Sequence, residues 1–584
     1  SEVCPYHRMH EVYPQCTGCT GVILSGGPCS VNDSDAPRVE WESLSVPVLG
    51  ICYGAQLMAS CLSGVTVNHS GEASGPPSGA EYGEQTLDWT PDSATDALCA
   101  TWSSQTTTTP PSSSGTVWMS HGDHIVVSST PMGEIVLNDE EPSPIIPLAY
   151  SSAAYGSSER VLAAFVIRPS GQQHPPRYGV QFHPEVTHTT RGASLLHTFA
   201  THICQGTQEW TPAHIAERVE QCLADQLTRS SSDHSLKPYS ENIPIVLGVS
   251  GGIDSTVAAM ALHRYLHDTS HTPRISRLLC VFVNNGLLRD GEVEEVQRTL
   301  YSVGLRSVHT VDASEQFLNA LAGVTDPEDK RKTIGRVFIE VFAEAVKTCM
   351  QEHSHNNGTS LTESESSPIQ CLLAQGTIYP DVIESANIVD NHTTSATIKS
   401  HHNVGGLPPG MNTMGILGLV EPLRDLFKDD VRQLGRYYGL SEHCIGRHPF
   451  PGPGLAIRIL GEVTPARVRT LQRVDRLFIE YLKENGLYDA IWQAGVILLP
   501  CRTVGVQGDR RSYQHVVALR AVTSVDGMTA QCYPFAMEDL MRISTRITNG
   551  AGGHHHNHPT EETVGVSRVV YDISSKPPAT IEWE

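Results

Sequence analysis

Two short motifs, each an apolar run that ends at a tight turn before a helix, most constrain what this chain can fold into. The first is GICYGAQ at residues 50–56, with QFHPE at 181–185 as its distant partner, and the second is LGVSGGIDST at 247–256. The first pattern prepares a cysteine nucleophile, and the second prepares a loop that binds a nucleotide phosphate. Together they predict an enzyme that releases a small nucleophile at one site and consumes it at an ATP-activated site.

The length and composition indicate the class of protein. At 584 residues the chain is too long for one hydrophobic core and should form roughly three or four domains. Its apolar fraction of 39% and charged fraction of 18% are typical of a globular protein. The sequence has no apolar run of about 18 residues or more, and its first residues, SEVCPYHRMH, lack a signal-peptide pattern. We therefore expect neither a membrane partner nor a secretory leader.

The cysteine content and the net charge indicate the compartment and the partners. Fifteen cysteines are too sparse for a disulfide framework, and most lie in apolar runs, where a reduced cysteine packs as a small hydrophobe. We therefore expect a cytoplasmic, reducing compartment. A net charge of −23 argues against nucleic acid as a partner. It still allows small anionic nucleotides, because backbone N–H groups and local cations can bind phosphate.

The order of apolar runs and turns predicts an α/β protein with domains at residues 1–205, 206–447 and 448–584. In the first domain, GVILSGGP, VPVLGICYG and YGVQFHPEV each predict a buried strand that enters a turn. A charged helical stretch at 213–229 is interpreted as part of a linker. IPIVLGVSGG and LLCVFVNNG then predict parallel strands joined by a helix, and a Pro/Gly stretch at 448–454 precedes a small α+β domain.

Three polar stretches, at residues 103–115, 351–367 and 549–559, cannot bury a core and are predicted to be inserts on loops. The histidine cluster at 554–556 is interpreted as part of a solvated loop, with metal binding as the alternative. Cys16 and Cys19 have the CxxC spacing of a metal or redox site, but no second ligand pair follows at a zinc-finger distance. We therefore expect neither role for this pair.

The motif around Cys52 has the features of a nucleophile elbow. Flanking glycines allow a sharp turn from strand to helix that exposes the thiol, and the helix N-terminus favours the thiolate. The Tyr53 N–H is a candidate donor to an oxyanion, with a second donor from the LSGGP run that contains Gly27. His183 and Glu185 are two apart in an extended segment, so they can point the same way, as a base and its orienting carboxylate do. This combination favours a nucleophile over a purely structural buried cysteine.

The second motif predicts a pyrophosphate-binding loop. Its glycines let the backbone approach a phosphate, while the loop N–H groups and the N-terminus of the following helix favour an anion. Asp254 is placed to help hold Mg²⁺ with ATP. The Walker A pattern GxxxxGK[ST] is absent from this region, and a Gly-rich turn before a helix also occurs for structural reasons alone. The predicted ATP-binding residues are Ser250, Gly251, Gly252, Ile253, Asp254, Ser255 and Thr256.

Through GGP, GICYGAQ and GVQFHPE, the first part of the chain resembles the class I glutamine amidotransferases. This resemblance implies that Cys52 attacks the carboxamide of glutamine. It further implies that His183 passes a proton to the leaving ammonia and that Glu185 orients His183. Gln56 would help to hold the glutamine substrate.

Other motifs resemble the glutamine-hydrolysing GMP synthetase family, and SGGIDST is similar to the pyrophosphate loop of enzymes that make adenylates. The resemblance covers nearly the whole chain apart from the inserts. It implies an amidotransferase domain, an ATP pyrophosphatase domain with a parallel sheet, and a C-terminal domain for dimerisation and XMP binding. The implied reaction converts XMP, ATP, glutamine and water into GMP, AMP, pyrophosphate and glutamate through an adenyl-XMP intermediate, with Mg²⁺ neutralising the pyrophosphate. The motifs are VWMSHGDHI, FVNNGLLR, DPEDKRKTIGRVFIEVF, LAQGTIYPDVIES, IKSHHNVGGLP, EPLRDLFKDDVRQLG, HPFPGPGLAIRILG, VGVQGDRRSY and RVVYDISSKPPATIEWE.

The same resemblance implies residues for XMP. Arg289 and Lys576 suit its phosphate, Glu582 suits an N–H of its base, and Asp509 in VQGDRRSY is a further candidate. Without the motifs, a lysine or arginine would be interpreted as a solvated surface cation. The implied XMP-binding set is Arg289, Gln493, Asp509, Lys576, Ile581 and Glu582, and Lys399, His401 and His402 resemble a lid that closes over both nucleotides.

Two features depart from the family pattern. The family's first strand, a stretch resembling DFGSQYTQLI, is absent from this sequence. That strand should be central in the sheet, so we expect either a truncated chain or a substitute formed by residues 1–20, and its loss would expose strand edges. Asn284 stands where the family usually carries Asp, which removes a charge from the strand VFVNNG.

Three hypotheses remain open from the sequence. The first is a glutamine-dependent synthetase that acts as a homodimer through its C-terminal domain, although the Pro/Gly-rich entry to that domain also fits a monomer. The second is a synthetase that uses free ammonia because the absent strand has damaged the first domain. The third is a non-catalytic nucleotide-binding or scaffold protein, against which the intact Cys52, His183, Glu185, Lys576 and SGGIDST argue.

Overall fold

The computed structural model divides the chain into two compact units, Ser1–Glu209 and Trp210–Glu584. The predicted boundary at residue 205 lies close to the division between these units. The further division of the second unit at residue 448 stays a prediction. The structure describes residues 3–16, 18–62, 65–69, 81–99, 116–127, 145–151, 161–168, 175–186, 188–228, 243–268, 277–305, 308–356, 370–386, 416–507, 510–524, 529–551, 565–576 and 578–584.

The first unit is built around a mixed sheet whose strands form from apolar runs that end at turns, as the sequence predicts. The runs GVILSGGP, VPVLGICYG and YGVQFHPEV supply the first, second and ninth strands. In chain order the helices and strands are α1 (Met9–Val12), β1 (Val22–Leu24), β2 (Val48–Ile51), α2 (Tyr53–Ser60), β3 (Val65–His69), β4 (Glu81–Trp89), β5 (Thr116–His121), β6 (Asp123–Val127), β7 (Ile145–Ser151), β8 (Leu162–Ile167), β9 (Arg177–Val180) and α3 (Gly192–Thr198).

Among the described strands, seven form one sheet in the order β1-β2-β9-β8-β7-β4-β5, and β3 pairs with β6 separately. β1, β2 and β9 run parallel, and the other neighbours run antiparallel. β2, β8 and β9 are buried along their whole length, as continuous apolar runs predict for strands covered on both faces. The carboxyl ends of β2 and β9 therefore meet at one edge of the sheet, next to Cys52 and the 181–185 segment.

The start of the first unit contains helical turns and no substitute strand among its described residues. Tyr6–Arg8, Met9–Val12 and Tyr13–Gln15 form three short helical segments. β1 consequently pairs only with β2 and forms an edge of the sheet, where Ile23 is 49% exposed. The expectation that residues 1–20 supply a replacement strand is therefore wrong for the described part of this segment, and the expected exposed strand edge is present.

The second unit contains a five-stranded parallel sheet and, later in the chain, an antiparallel hairpin with which two further strands pair. In chain order the helices and strands are α4 (Pro212–Thr228), β10 (Ile245–Gly248), α5 (Ile253–Asp268), β11 (Leu278–Asn284), α6 (Glu292–Ser302), β12 (Val308–Asp312), α7 (Ser314–Ala320), α8 (Pro327–Asn356), β13 (Cys371–Ala374), α9 (Tyr379–Ala386), β14 (Ile416–Val420), α10 (Lys428–Tyr437), α11 (Glu442–Ile445), α12 (Pro465–Glu484), β15 (Gln493–Gln507), β16 (Arg510–Thr523), β17 (Gln531–Cys532), α13 (Met537–Ala551) and β18 (Val566–Tyr571).

The parallel sheet has the strand order β12-β11-β10-β13-β14, and every neighbouring pair is parallel. The predicted strand–helix–strand unit from β10 through α5 to β11 is confirmed. The chain moves outward in one direction from β10 to β12 and in the other direction from β13 to β14. Loops that follow β10 and β13 therefore diverge at a topological switch point, the place where open α/β sheets bind ligands.

The helical stretch that the sequence analysis interpreted as part of a linker belongs to the core of the second unit. Ile215, Val219 and Leu223 of α4 are buried in the same apolar cluster as β10 and α5. These residues recur every four positions and so form one apolar face, while the rest of the helix is polar. The linker interpretation overlooked this stripe because the charged residues of the helix dominate its composition.

The last part of the second unit is α+β, as predicted. β15 and β16 form a long antiparallel hairpin, and β17 and β18 both pair with β16. The helices α12 and α13 pack on this sheet, and their apolar residues share one cluster with α8 and the parallel sheet. A single continuous core therefore joins the parallel sheet to the C-terminal strands.

None of the described helices is long and apolar enough to cross a membrane. The first residues of one predicted insert, 351–356, continue α8 rather than starting a loop. Residues 549–551 likewise form the end of α13. The histidine cluster at 554–556 lies outside the described residues.

Candidate functional site

Cys52 occupies the sharp turn between β2 and α2. Its backbone has φ 47° and ψ −105°, a combination that residues other than glycine rarely adopt. The Cys52 N–H donates to the Val180 carbonyl at 2.8 Å, which ties the turn to β9. Cys52 is therefore held immediately before the N-terminus of α2, where helix N–H groups favour negative charge.

The Cys52 side chain is buried, only 5% exposed, although the elbow pattern predicted an exposed thiol. Its Sγ atom lies 3.9 Å from the Ser120 carbonyl oxygen and 3.9 Å from the Gln181 Nε2. These groups from the ends of β5 and β9 cover the turn. A local motif cannot show such cover, because the covering residues are far away in sequence.

His183 and Glu185 are brought together as predicted, with 2.7 Å between His183 Nδ1 and Glu185 Oε1. The other ring nitrogen, Nε2, is buried and has no hydrogen-bond partner. The imidazole lies close to Cys52: a methyl group built on Gly26 would be 3.3 Å from His183 Cε1 and 3.6 Å from Cys52 Cβ. His183 therefore has one nitrogen fixed by a carboxylate and one available to exchange a proton with the thiol.

The electrostatics of this pair favour a charged imidazole. Burial opposes the charge on His183, but interactions with Cys52 and Glu185 outweigh it and raise the pKa of His183 to about 10. A carboxylate beside a histidine stabilises the imidazolium form. The arrangement can therefore hold an imidazolium next to the Cys52 side chain, and a neighbouring cation of this kind activates cysteine nucleophiles.

The segment that carries His183 is fixed by contacts that sequence analysis did not find. The Thr189 hydroxyl donates to the His183 carbonyl at 2.6 Å and accepts from the Trp118 N–H at 3.0 Å. The His183 N–H donates to the Trp118 carbonyl at 3.0 Å. The ring of His188 also lies against Trp118, with 4.4 Å between ring centroids. Of the residues that hold this segment, only Trp118 lies in a motif quoted from the sequence, VWMSHGDHI.

The predicted glutamine-binding residues lie around the same turn. Gln56 is buried in α2, and its Nε2 donates to the Asp123 carbonyl at 3.0 Å. Gly27 lies against the Tyr53 ring, since a methyl group built there would be 3.7 Å from the ring. The Tyr53 hydroxyl donates to the Pro37 carbonyl at 2.5 Å. The roles of Gln56, Gly27 and Tyr53 toward glutamine stay predictions.

The predicted phosphate loop, residues 250–256, lies at the switch point of the parallel sheet. It follows β10 and enters α5, while the loop after β13 approaches it from the neighbouring strand. A methyl group built on Gly376 would be 3.1 Å from the Asp254 carbonyl carbon and from the Ser255 nitrogen. The two diverging loops therefore meet at the N-terminus of α5, where N–H groups and the helix dipole favour an anion.

The loop is shaped by its own residues. Gly251 has φ +77°, and a methyl group there would be 2.1 Å from Val296 Cγ2, so no larger residue fits. The Ser255 hydroxyl accepts from the Ser250 N–H at 3.2 Å and donates to the Gly252 carbonyl at 3.1 Å. The Thr256 hydroxyl is buried and donates to the same carbonyl at 2.9 Å. These contacts hold the loop open for a ligand.

Two cations that sequence analysis did not assign lie at this loop. Lys428 Nζ lies 3.2 Å from Asp254 Oδ2, and Arg447 donates to the Gly251 carbonyl at 3.2 Å. Arg447 also pairs with Glu292 at 2.7 Å, which fixes its orientation. Lys428 belongs to the quoted EPLRDLFKDD run, whereas Arg447 lies directly before the HPFPGPG run and outside the quoted motifs.

Asp254 has the features of a residue that could hold Mg²⁺ together with ATP. Its Oδ1 atom is buried and has no hydrogen-bond partner. Among the described residues, no group of three or more His, Cys, Asp or Glu side chains is arranged to hold a metal ion. Mg²⁺ commonly binds one or two carboxylates plus substrate phosphates and water. Asp254 fits such a site but not a cage made of protein alone.

Three predicted XMP residues line one cavity in the C-terminal part of the second unit. Gln493 Nε2 donates to Glu582 Oε1 at 2.7 Å, and Ile581 lies beside them. Glu582 also accepts two hydrogen bonds from Arg458, at 2.9 and 2.7 Å. Arg458 is fully buried, and its charge together with Gln493 lowers the pKa of the Glu582 carboxyl against the cost of burial. The complete lining is Arg458, Gln493, Gly495, Ile497, Arg520, Ile581 and Glu582.

Arg289 lies beside this cavity rather than on its surface. Its guanidinium pairs with Asp475 at 3.1 Å and donates to the Ala494 carbonyl at 2.8 Å. It also lies over the Phe450 ring, 5.0 Å from the centroid. Arg289 is therefore fixed next to Gln493.

Lys576 does not line the cavity. Its backbone pairs with Ala530, with N–H to carbonyl distances of 2.8 and 3.0 Å. This bridge places the start of the C-terminal segment against the strand region before β17. The predicted residues Asp509, Lys399, His401 and His402 lie outside the described residues, so their roles stay predictions.

Known proteins match the chain along its whole length. Residues 1–152 and 162–203 match the family described as glutamine amidotransferase class-I, and residues 480–583 match the GMP synthase C terminal domain. The GMP synthase [glutamine-hydrolyzing] of Bdellovibrio bacteriovorus is 44% identical over 568 residues, which cover 97% of this chain and 91% of that protein. The enzyme of the same description from Cytophaga hutchinsonii is 43% identical over 591 residues, covering 100% of this chain and 94% of that one. This chain belongs to the glutamine-hydrolysing GMP synthase family.

The predicted fold class and family are therefore confirmed, since the motifs quoted from the sequence lie along a full-length match to this family. Among solved structures, an NMN synthetase from Francisella tularensis aligns with 13% identity over 42% of this chain and 79% of that chain, at a TM-score of 0.26. A likeness of that strength adds nothing to the assignment.

One departure from the GMP synthase family pattern has a structural account. Asn284 ends β11, where its Nδ2 donates to Asp312 Oδ1 at 3.3 Å and its Oδ1 accepts from the Gly286 N–H at 3.0 Å. An aspartate here would place two carboxylates side by side. Asn284 instead joins β11 to β12 through a hydrogen bond, and hydrogen bonds from Ser314 lower the pKa of the Asp312 carboxyl.

Proposed function

We propose that this chain is a glutamine-hydrolysing GMP synthase, which converts XMP, ATP, glutamine and water into GMP, AMP, pyrophosphate and glutamate. The observation that carries the proposal is the pairing of His183 with Glu185 beside the strained turn at Cys52. The same chain holds a preformed phosphate loop at the switch point of a parallel sheet. An enzyme that makes ammonia and uses it on an activated base needs both sites.

The first unit performs the hydrolysis of glutamine in this proposal. The Cys52 thiolate attacks the carboxamide carbon, and the C–N bond breaks as His183 gives a proton to the leaving ammonia. Water, activated by the now neutral His183, then attacks the thioester carbon, which releases glutamate and restores the thiol. The N–H groups of Tyr53 and Gly27 are proposed to stabilise the oxyanion, and Gln56 is proposed to hold the substrate.

The second unit performs the activation and amination of XMP. The O2 oxygen of the base attacks the α-phosphorus of ATP, and the bond to pyrophosphate breaks. Ammonia then attacks C2, and AMP leaves with the oxygen. The Lys428 ammonium and those loop N–H groups that are not bonded within the loop, as the Ser250 and Gly252 N–H groups are, are proposed to bind the phosphates. Asp254 would hold the Mg²⁺ that neutralises charge on the leaving pyrophosphate.

XMP is proposed to bind where Gln493, Ile581 and Glu582 meet, at a cavity of about 10 Å³ that has room for about one water molecule and must widen to admit the nucleotide. The Glu582 carboxylate, held ionised by Arg458, suits an N–H group of the base. Arg289 and Lys576 are proposed for its phosphate. Asp509 is a further XMP-binding candidate, and Lys399, His401 and His402 are proposed to form a lid over both nucleotides.

We also propose a homodimer formed through the C-terminal strands, in the cytoplasm. Apolar side chains are exposed on the hairpin and on the nearby helix α13, and a monomer seldom exposes so many large ones close in sequence. The reduced state of the fifteen cysteines supports a reducing compartment. The exposed residues are Val504, Val506, Tyr513, Met537 and Met541, between 48% and 75% exposed.

The test of the second unit is XMP-dependent pyrophosphate release from Mg·ATP, with ammonium as the nitrogen donor. We expect pyrophosphate and AMP to appear in equal amounts and only when XMP is present. IMP is the control nucleotide and should release neither. Pyrophosphate release at the same rate without XMP would contradict the proposal.

A second candidate function is a synthetase that uses free ammonia. The exposed edge strand β1 favours it, because an open sheet edge next to the Cys52 turn can weaken the first unit. The two candidates differ in one observable, which is whether glutamine supports GMP formation.

A further inference from the structure

Lys330 is fully buried at the start of α8, with 0% of its surface exposed. Its Nζ donates to the Ile459 carbonyl at 2.7 Å, lies 3.4 Å from the Ala456 carbonyl oxygen, and forms an ion pair with the Glu584 carboxylate. Lysine is almost never fully buried unless it is paired, because removing the ammonium from water is costly. The proposed chemistry uses neither Lys330 nor Glu584.

The groups that Lys330 contacts lie on both sides of Arg458 and Glu582, which form an ion pair at the proposed XMP site. Ala456 and Ile459 belong to the turn that carries Arg458, and Glu584 lies two residues after Glu582. Arg458 and Glu582 are themselves joined by two hydrogen bonds. A single ammonium therefore holds both the turn behind Arg458 and the segment that presents Glu582.

Other anchors of this segment come from the C-terminal strands and the residues around them. Arg520 on β16 donates to the Thr580 carbonyl at 3.1 Å, and Trp583 Nε1 donates to Asp572 Oδ2 at 2.9 Å. Lys330 differs because α8 packs against β11 of the parallel sheet. Its contact ties the segment with Glu582 to the part of the unit that carries the phosphate loop.

We propose that Lys330 is a positioning residue for the XMP site, which seats residues 578–584 so that Ile581 and Glu582 face the cavity. The inference deepens the proposed function and rests on it, because it assumes that XMP binds at that cavity. Loss of the ammonium removes the ion pair of Glu584 and leaves that carboxylate with the Gly461 N–H at 3.4 Å, so the segment that presents Glu582 loses its link to α8. The affinity for XMP then falls, while the phosphate loop and the first unit keep their contacts.

The test compares Lys330→Met with Lys347→Met in the full chain. Lys347 lies on the same helix, but its side chain is 61% exposed. Its ion pair with Glu344 is long at 3.9 Å, so Lys347→Met serves as the matched control. We expect Lys330→Met to raise the KM for XMP by about tenfold or more, with a much smaller change in kcat and in the KM for ATP. Lys347→Met should behave as the unchanged chain does.

A purely structural role for Lys330 would lower the amount of folded enzyme, and with it kcat, without moving the KM for XMP. Hydrogen exchange supplies a second readout that needs no activity: exchange of residues 578–584 should quicken in Lys330→Met and not in Lys347→Met. If Lys330→Met does not fold, Glu584→Gln removes the same ion pair while leaving the lysine bonded to two carbonyls. This variant should shift both readouts in the same direction by a smaller amount.

An XMP KM within about twofold of the unchanged chain in every folded variant, together with unchanged exchange of residues 578–584, would overturn the inference. Failure of the proposed function gives a different result. In that case the unchanged chain itself shows no XMP-dependent pyrophosphate release, whereas failure of the inference leaves that release intact.

Discussion

At the scale of single residues, Cys52 combines a nucleophile with a backbone conformation that L-residues avoid. A residue held at positive φ outside the usual regions costs about 1–3 kcal/mol, and only a glycine adopts such angles freely. In the described part of the first unit, Cys52 has a φ of 47° and directly precedes the first residue of α2. The strain is a property of the turn and persists whatever L-residue replaces the cysteine.

We predict that Cys52→Gly is more stable than Cys52→Ala by about 1 kcal/mol, because glycine relieves the strain while losing more chain entropy on folding. Both variants lose glutaminase activity, so the comparison isolates the backbone. Thermal unfolding of the two variants measures the difference. Ala55→Gly, in the regular part of α2, is the control and should lower stability by about 1 kcal/mol or more. Equal stability of the two Cys52 variants would contradict the strained turn.

His183 carries the pH dependence of the first unit. Its folded pKa of about 10 lies above the ordinary value of 6.5, so its charged form stabilises the fold. That stabilisation is fully present below about pH 6.5 and is lost as the pH rises toward 10. The same proton loss would remove the imidazolium charge beside Cys52.

We predict that Glu185→Gln lowers the pKa of His183 and moves the alkaline limit of glutaminase activity to lower pH. The amide keeps a hydrogen-bond acceptor beside Nδ1 but removes the negative charge that stabilises the imidazolium. The pH profile of glutamate release measures the shift, and an NMR titration of the ring checks its origin. An unchanged alkaline limit would show that Glu185 does not set the charge of His183.

The residues that sequence analysis found are those whose chemistry depends on local patterns. Cys52 was found from its flanking glycines, and His183 with Glu185 from their spacing. The partners Thr189, Lys428 and Arg458 were not assigned roles, because each acts through a contact with residues distant in sequence. Lys428 and Arg458 lie in quoted motifs and Thr189 in none, and a motif does not show which atoms meet.

At the scale of elements, the loop between β10 and α5 depends on Gly251. The +77° φ angle and the neighbouring Val296 side chain both exclude a larger residue. The backbone path at Gly251 is therefore restricted, and the loop meets the loop after β13 at Asp254 and Ser255.

We predict that Gly251→Ala lowers XMP-dependent pyrophosphate release by about tenfold or more, because the methyl group must displace the loop or Val296. Gly335→Ala in α8 is the control: a methyl group there meets no atom within 4 Å, and the change should stabilise the helix. Pyrophosphate release is measured for both. Full activity in Gly251→Ala would mean that the loop conformation does not hold the phosphates.

Elements with clear apolar runs were predicted well, and the remainder depended on packing. β2, β9, β10 and β11 follow from mainly apolar runs that end at turns. The role of α4 was misinterpreted because burial of one stripe on a charged helix is decided by its neighbours. The segment before β1 contains too few apolar residues in alternation to form a strand, and its short helical turns could not be inferred from the motifs around it.

At the scale of the whole molecule, the chain joins two reactions, the first of which makes the ammonia that the second consumes. The mixed sheet of the first unit presents a cysteine at the ends of two parallel strands, and the parallel sheet of the second unit presents a phosphate loop at its switch point. Sequence analysis predicted this pairing because each site begins with a strand, a glycine-rich turn and a helix. It could not predict whether the exposed edge at β1 leaves the first unit able to hydrolyse glutamine.

The measurement that tests the central claim most directly is GMP formation from XMP and Mg·ATP, with glutamine or ammonium as the donor, in the unchanged chain and in Cys52→Ala. The account predicts that the unchanged chain uses both donors and that Cys52→Ala uses ammonium alone. Ammonium use alone in the unchanged chain would contradict glutamine hydrolysis at Cys52. No GMP from either donor would contradict the synthase itself.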